Sequence, residues 1–242
     1  MKRTKENSIS LVKSHIPIWL GSLLVEDRFL GLYQSILSPD EHERARLFKF
    51  PKDRIRYIKG RYLLRQISGL YLNEPPQKIR FGYNDHRKPF FLHHPEIFFN
   101  LSHSNDLIAI AMTRQSDIGV DLEYINPDMD HDSVSRTVFS RPEVEYFDKG
   151  KGDDKIDRFF ELWTRKEAFI KALGYGFSMP IDLKDINVLE EKVGFVKTSP
   201  GFSDAIDPDW TLHSFKPETG YKAAIAFRKP PVKIRYHKVL GN

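Results

Sequence analysis

The stretch SDIGVDLEYI, residues 116–125, is an apolar run broken by two acids, Asp121 and Glu123. Its Ile, Val and Tyr content predicts a strand. Residues two apart in a strand share a face, so Asp121 and Glu123 project together and Leu122 projects to the other side. Adjacent carboxylates repel, and each resists ionisation unless a cation compensates. Taken alone, the pair reads most simply as a wet strand face. Gly119, on the same face, weakens that reading by leaving room for something bulky to approach.

Downstream, KIDRFFELWTRKEAFIKALGYGF (155–177) predicts a long helix ending at Gly174 or Gly176. Glu167 and Lys171 are four apart and share a face with Trp163. The plain alternative is an exposed ion pair contributing roughly 0.3–0.5 kcal/mol. A tryptophan on the same face argues for a partly buried stripe instead. If Asp121, Glu123 and Glu167 converge, they form an all-oxygen site of the kind Mg²⁺ accepts beside substrate phosphates. Lys171 would then face those phosphates as a point charge.

Upstream, SPDEHERARLFKF (38–50) opens with a helix-start signature, and DRIRYIKGRYLLRQISGLYL (53–72) predicts a long helix buried on several sides. Arg54, Arg61 and Arg65 share one side of it, with Arg44 and Lys52 nearby. KIRFGY (78–83), EIFFNLS (96–102) and LIAIAMT (107–113) predict strands. The phrase FNLSHSND (99–106) ends a strand in Asn100, Ser102 and His103, and HRKPFF (86–91) places Lys88 and Pro89 in a turn. A loop is expected after Pro127, then a capped helix over SRPEVEYFDKG (140–150), strands at DINVLE, WTLHSF and YKAAIAF, and a peripheral basic tail, KPPVKIRYHKVLGN.

Each half thus offers a long helix followed by strands, closing on IAIAMTR and then AAIAFRK. Setting Ile110 against Ile225 makes a weak repeat. It predicts an α+β fold of two similar lobes related by a pseudo-two-fold, each a long helix on a small, mostly antiparallel sheet. The lobes would span 1–115, carrying the anion-binding groups, and 116–242, carrying the carboxylates, with a site between them.

Composition narrows the class. With no cysteine among 242 residues, disulfides, thiolate nucleophiles and cysteine zinc sites are excluded. The 18 Phe, 10 Tyr and 3 Trp argue for a packed core. No apolar run is long enough to span a membrane and the start lacks a signal-peptide core, so the cytoplasm is expected. The net charge of +5 favours an anionic partner. A basic nucleic-acid-binding protein and a metal-dependent nuclease are the rival readings; neither accounts for all of the carboxylate, SHS and KP blocks together.

The blocks FNLSHS, IGVDLEYI and LWTRKEAFIKALGYG, with LSPDEHERARLFKF, GRYLLR and KP before them, resemble the Sfp-type 4′-phosphopantetheinyl transferases. These move the phosphopantetheine arm of coenzyme A onto a serine of a carrier protein. The resemblance spans about residues 38–177. It implies that Asp121, Glu123 and Glu167 bind Mg²⁺, that Lys171 contacts the coenzyme A pyrophosphate, and that Ser102 and His103 touch its phosphates. It implies further that Arg44 lies near the 3′-phosphate and that Lys88 and Pro89 form the adenine turn. A serine nucleophile needs a base for its proton, and Glu167 is the candidate, directly or through a metal-bound water. Two departures stand out. Arg87 occupies a place where many members have glycine. Glu41 occupies one where a second basic residue is common, which shifts 3′-phosphate binding onto Arg44 and Arg56. The partners implied are coenzyme A and an acidic acyl or peptidyl carrier protein, with neither nucleic acid nor membrane, and the two-lobed form implies a monomer.

Overall fold

A computed structural model describes residues 11, 14–176, 182–195, 209–228 and 233–239. One plan is used twice. The first unit runs β1 (His15–Ser22), α1 (Asp27–Gln34), α2 (Pro39–Arg46), α3 (Pro51–Leu72), a hairpin of β2 (Phe81–Tyr83) and β3 (Pro89–Phe91), then β4 (Phe98–Ser104) and β5 (Leu107–Thr113). The second runs β6 (Ile118–Tyr124), α4 (His131–Val138), α5 (Arg141–Asp148), α6 (Asp153–Leu173), a hairpin of β7 (Ile186–Asn187) and β8 (Gly194–Phe195), then β9 (Trp210–Phe215) and β10 (Tyr221–Arg228). The strands of the two units pair in the order β1-β5-β4 in one sheet and β6-β10-β9 in the other, and all of these pairings are antiparallel. The fold is α+β and two-lobed, as expected.

Strand periodicity builds four layers. Ile108, Ile110 and Met112 of β5 pack with Leu63, Leu64 and Ile67 of α3. The alternate residues Leu107, Ala109 and Ala111 pack with Ile118, Val120 and Leu122 of β6 and with Ala223 and Ile225 of β10. Beyond that second sheet, Ala224, Ala226 and Leu212 meet Ala168, Phe169 and Ala172 of α6. The order is α3, sheet, sheet, α6, and each sheet covers the apolar face of the other.

The two units also repeat a polar device. Ser38 and Glu41 form a capping box on α2, and Ser140 and Glu143 form one on α5. Each buried glutamate is then answered by a cation from the long helix. Glu41 receives Arg61 at 2.5 Å and Arg65 at 2.6 Å; Glu143 receives Lys166 at 2.9 Å. Removing one partner from such a pair strands a buried charge, at a typical cost of about 3–5 kcal/mol.

Several expectations are corrected. The helix expected over 38–50 stops at Arg46, and Pro51 starts α3, because residue 50 before the proline is held extended. The loop after Pro127 contains α4, capped by Asp130 accepting from the Ser133 amide. The strand expected at 78–83 is only Phe81–Tyr83, and that at DINVLE only Ile186–Asn187. The helix expected over 155–177 does end at Gly174, which caps Leu173 in the left-handed conformation, but it starts earlier, at Asp153; residue 177 lies outside the described residues, as does the N-terminal stretch 1–10. The tail is not merely peripheral. Its residues Lys233–Lys238 form β11, an edge strand parallel to β1, so the C-terminal end joins the first sheet and the division at 115/116 is not clean. The repeat is offset by one residue from the letter match. Ile18 pairs with Ala111 and Val120 with Ile225, so Ala111, not Ile110, is the counterpart of Ile225. Ile110 faces α3 while Ile225 faces the other sheet.

Candidate active site

β4 and β6 run side by side at the junction of the two sheets, yet no backbone ladder joins them. Alternate side chains of β4 make the seam instead. Asn100 Oδ1 accepts from the Val120 amide at 2.9 Å. Ser102 Oγ donates to Asp121 Oδ1 at 3.0 Å, and Ser104 Oγ donates to Glu123 Oε2 at 2.7 Å while accepting from the Tyr124 amide at 3.0 Å. The period of two in N-L-S-H-S is the signal for this seam, and it adds Ser104 to the expected Asn100 and Ser102.

Asp121 and Glu123 do project together, toward α6, and Leu122 is fully buried on the opposite side. Asp121 is buried, and its Oδ1 receives Lys171 Nζ at 2.5 Å, while Lys171 also donates to Ser102 Oγ at 2.8 Å. Lys171 therefore serves the strand carboxylate across the interface and not Glu167 one turn back on its own helix. Burial, followed by the charge of Asp121, raises the pKa of Glu123, against hydrogen bonds from Ser104 and Trp163 that lower it. Burial, then the same aspartate, pushes Glu167 up to about 7. These couplings place the three acids within each other's field, with Lys171 beside them.

Gly119 performs a different task from the one expected. A Cβ there would stand 1.9 Å from the Ala168 carbonyl oxygen and 2.4 Å from the Ala172 amide nitrogen. The bulky object that approaches this glycine is the backbone of α6.

Beside the seam, α2, α3, β4 and the β2–β3 turn enclose a cleft of about 590 Å³ whose lining includes Arg44, Arg56, Arg61, Tyr83, Arg87 and His103. His103 points away from Asp121, since it alternates with Ser102 along β4. Burial lowers the His103 pKa, and Lys171 and Arg56 lower it further, so its ring is neutral at neutral pH. Arg56 donates to Asp106 at 2.6 Å and Asn105 at 2.9 Å. A carboxylate cluster meeting a cation-lined cleft at a Ser-His strand end is suited to a polyphosphate substrate.

Two family models match the chain, one on each unit. Residues 26–115 match the model for the 4′-phosphopantetheinyl transferase N-terminal domain, and residues 117–226 match that of the 4′-phosphopantetheinyl transferase superfamily. The 4′-phosphopantetheinyl transferase HetI of Nostoc is 32% identical over 226 residues, 92% of this chain and 91% of its own length. The chain belongs to the 4′-phosphopantetheinyl transferase family. Sfp of Bacillus subtilis is 28% identical over 82% of this chain and 85% of its own. The L-aminoadipate-semialdehyde dehydrogenase-phosphopantetheinyl transferase of Rattus norvegicus is 26% identical over 80% of this chain and 68% of its own.

In this transferase the expected site residues divide into groups. Ser102, Asp121 and Lys171 are in direct contact, with Glu123 and Glu167 beside them. Arg44, Arg56 and His103 line the cleft. Arg61 and Arg65 are spent on Glu41, whose charge is thereby turned inward and neutralised. Lys88 and Pro89 lie outside that lining. The Lys88 ammonium donates to the Ala172 carbonyl at 2.7 Å and to Asp117 at 3.2 Å, and Asn84 Nδ2 donates to the Gly174 carbonyl at 3.0 Å. This turn clasps the C-terminal end of α6, satisfying carbonyls the helix leaves open. Gly174 admits the clasp, for a Cβ there would meet Lys88 Cδ at 2.8 Å.

The acids fit a divalent cation in charge but not yet in arrangement. Asp121 Oδ2 is buried with no hydrogen-bond partner, a poor state for a carboxylate oxygen unless a cation can reach it. Among the described residues, however, no three acidic or histidine side chains stand in ligand geometry. The expected convergence on one ion is thus not formed here: Lys171 holds Asp121 instead. No helix among the described residues is long and apolar enough to cross a membrane.

Proposed function

We infer that the chain transfers the 4′-phosphopantetheine group of coenzyme A to a serine of an apo acyl or peptidyl carrier protein, releasing 3′,5′-ADP. The observation that carries this is the junction of three mutually repelling acids and Lys171 with a cation-lined cleft, in a chain of this family. The carrier serine oxygen forms a bond to the β-phosphorus, the bond to the bridging oxygen breaks, and the electrons leave on the nucleotide.

Each residue has a task in that exchange. Arg44 and His103 bind the nucleotide phosphates along the cleft, and Arg56, held by Asp106, adds its charge to the lining. Lys171, anchored by Ser102 and Asp121, sets a positive charge where the leaving phosphate gains a negative one. Glu167, buried beside Asp121 and Lys171, takes the serine proton, a role worth ~10²–10⁴-fold in general. Asp121, Glu123 and Glu167 would hold Mg²⁺, which would supply charge neutralisation to the pyrophosphate. The cation-rich cleft and the +5 net charge support an acidic carrier partner. The mutual covering of the two sheets supports a monomer. Membership of a transferase family stands against the nuclease and nucleic-acid-binding readings.

The test is the mass of an apo carrier protein after incubation with the chain, coenzyme A and Mg²⁺. A gain of one phosphopantetheine is expected, and it should vanish with Glu167→Gln while coenzyme A still binds. No gain across fatty-acid, polyketide and nonribosomal-peptide carriers overturns the reading, and near-normal turnover by Glu167→Gln overturns the role of that residue.

A further inference from the structure

Arg87 has φ 64°, a backbone conformation that residues with a Cβ rarely adopt and glycine adopts freely. The turn enforces it. Asn84 Oδ1 accepts from the His86 amide at 3.0 Å and the Lys88 amide at 2.8 Å, and the Arg87 amide donates to the Asn84 carbonyl at 2.9 Å. An arginine kept at a position suited to glycine points to a task for its side chain.

The cleft shows what that task is. Of the guanidinium groups lining it, Arg56 is paired with Asp106 and Arg61 with Glu41. Arg44 and Arg87 form no ion pair among the described residues, and they reach the cleft from separate elements, α2 and the β2–β3 turn. Asp40, the carboxylate in the lining, is engaged by the Ser38 hydroxyl. Two guanidiniums without an ion-pair partner among the described residues, lining one cleft from two elements, match a group with several terminal oxygens and a double negative charge, a phosphate monoester. Coenzyme A carries one such group, on its ribose; its pyrophosphate is assigned above to the Lys171 end.

We propose that Arg87 is a specificity residue that grips the ribose 3′-phosphate together with Arg44, so that the chain distinguishes coenzyme A from its 3′-dephospho analogue. This rests on coenzyme A being the donor. Glycine suits the backbone, so Arg87→Gly is expected to fold, and its melting temperature should equal or exceed that of the unaltered chain. With a fixed carrier, Arg87→Gly should lower kcat/KM on coenzyme A by about 10-fold and move kcat/KM on 3′-dephospho-coenzyme A by less than about twofold. Arg87→Lys should recover part of the preference. Calorimetric binding of 3′,5′-ADP against AMP, with no carrier present, should show the same loss of discrimination. An equal loss on both donors, or an unchanged ratio, overturns the proposal even when the unaltered chain loads the carrier. A chain that discriminates 3′,5′-ADP through Arg87 but loads no carrier leaves this residue's role standing and overturns the transferase reading instead.

Discussion

Gly119→Ala adds one methyl group at the contact between β6 and α6. The Cβ would lie 1.9 Å from the Ala168 carbonyl oxygen and 2.4 Å from the Ala172 nitrogen, where real Cβ atoms essentially never come under 3.0 Å. The helix must therefore retreat by about 1 Å simply to reach the edge of the tolerated range. Both obstructing atoms are helix backbone, so no side-chain rotation can relieve the clash. Overpacking of this kind costs about 1–3 kcal/mol, and a rigid obstacle places this case at the upper end. For a chain of this size about 3 kcal/mol is roughly 6–12 °C in Tm. The same retreat carries Glu167 and Lys171 away from Asp121, and a misplacement of about 1 Å can lose 10²-fold in rate. Thermal unfolding by circular dichroism, with phosphopantetheine transfer in parallel, reads both effects. Gly31→Ala is the control: nothing lies within 4 Å of its Cβ, so it should be neutral or slightly stabilising. If Gly119→Ala melts within about 1 °C of the unaltered chain and transfers normally, the close β6–α6 contact is not what holds the site.

Glu167 makes stability pH-dependent. Its pKa is raised from 4.5 to about 7 in the folded chain, so its contribution is complete below 4.5 and is lost as pH rises through about 7. In chelator, urea midpoints of the unaltered chain should fall across that window while those of Glu167→Gln fall less; parallel curves would contradict the burial of this acid. Adding Mg²⁺ should flatten the slope of the unaltered chain, because a bound cation stabilises the ionised carboxylates. Lys88→Met keeps the stem but releases the Ala172 carbonyl, and should cost about 1–2 kcal/mol by chemical denaturation. It should lower kcat more than it raises KM for coenzyme A, since the loosened helix end carries Lys171; a pure KM effect would show instead that Lys88 serves the nucleotide.

The parts of this site legible in the sequence are those fixed by local periodicity. Alternation in SDIGVDLEYI placed Asp121 and Glu123 on one face and Leu122 on the other, and helical spacing put Glu167 and Lys171 on a common stripe. What escaped was whatever depends on a distant partner. β1 contains Pro17 and becomes a strand through β5 and β11 on either side. Glu41, Arg61 and Arg65 look like surface charges until the capping box turns the glutamate inward, and no local signal says which arginines are paired there and which, like Arg44, line the cleft without an ion pair among the described residues. Gly119 signals a close approach in the sequence, but only the packing of α6 on β6 says that the approaching group is helix backbone.

The registers show how one duplicated plan became an asymmetric site. Ile18 and Val120 hold matching places in the two units, so Trp19 matches Asp121 and Gly21 matches Glu123. In the first unit that face meets its helix through Trp19 Nε1 donating to Tyr71 OH at 2.9 Å and through Leu63 packed on Gly21. In the second it meets its helix through Lys171 on Asp121. The first strand–helix contact is apolar with one neutral hydrogen bond, while the second gathers acids that repel one another. The cleft's arginines stand on the first unit and the three acids on the second, so the cation-lined cleft and the acid cluster meet only where the two units join. Asn100, Ser102 and Ser104 hold the edge where they meet, and Ser102 touches both Asp121 and Lys171. A change that weakens this seam should therefore disable the site while leaving the four-layer core intact.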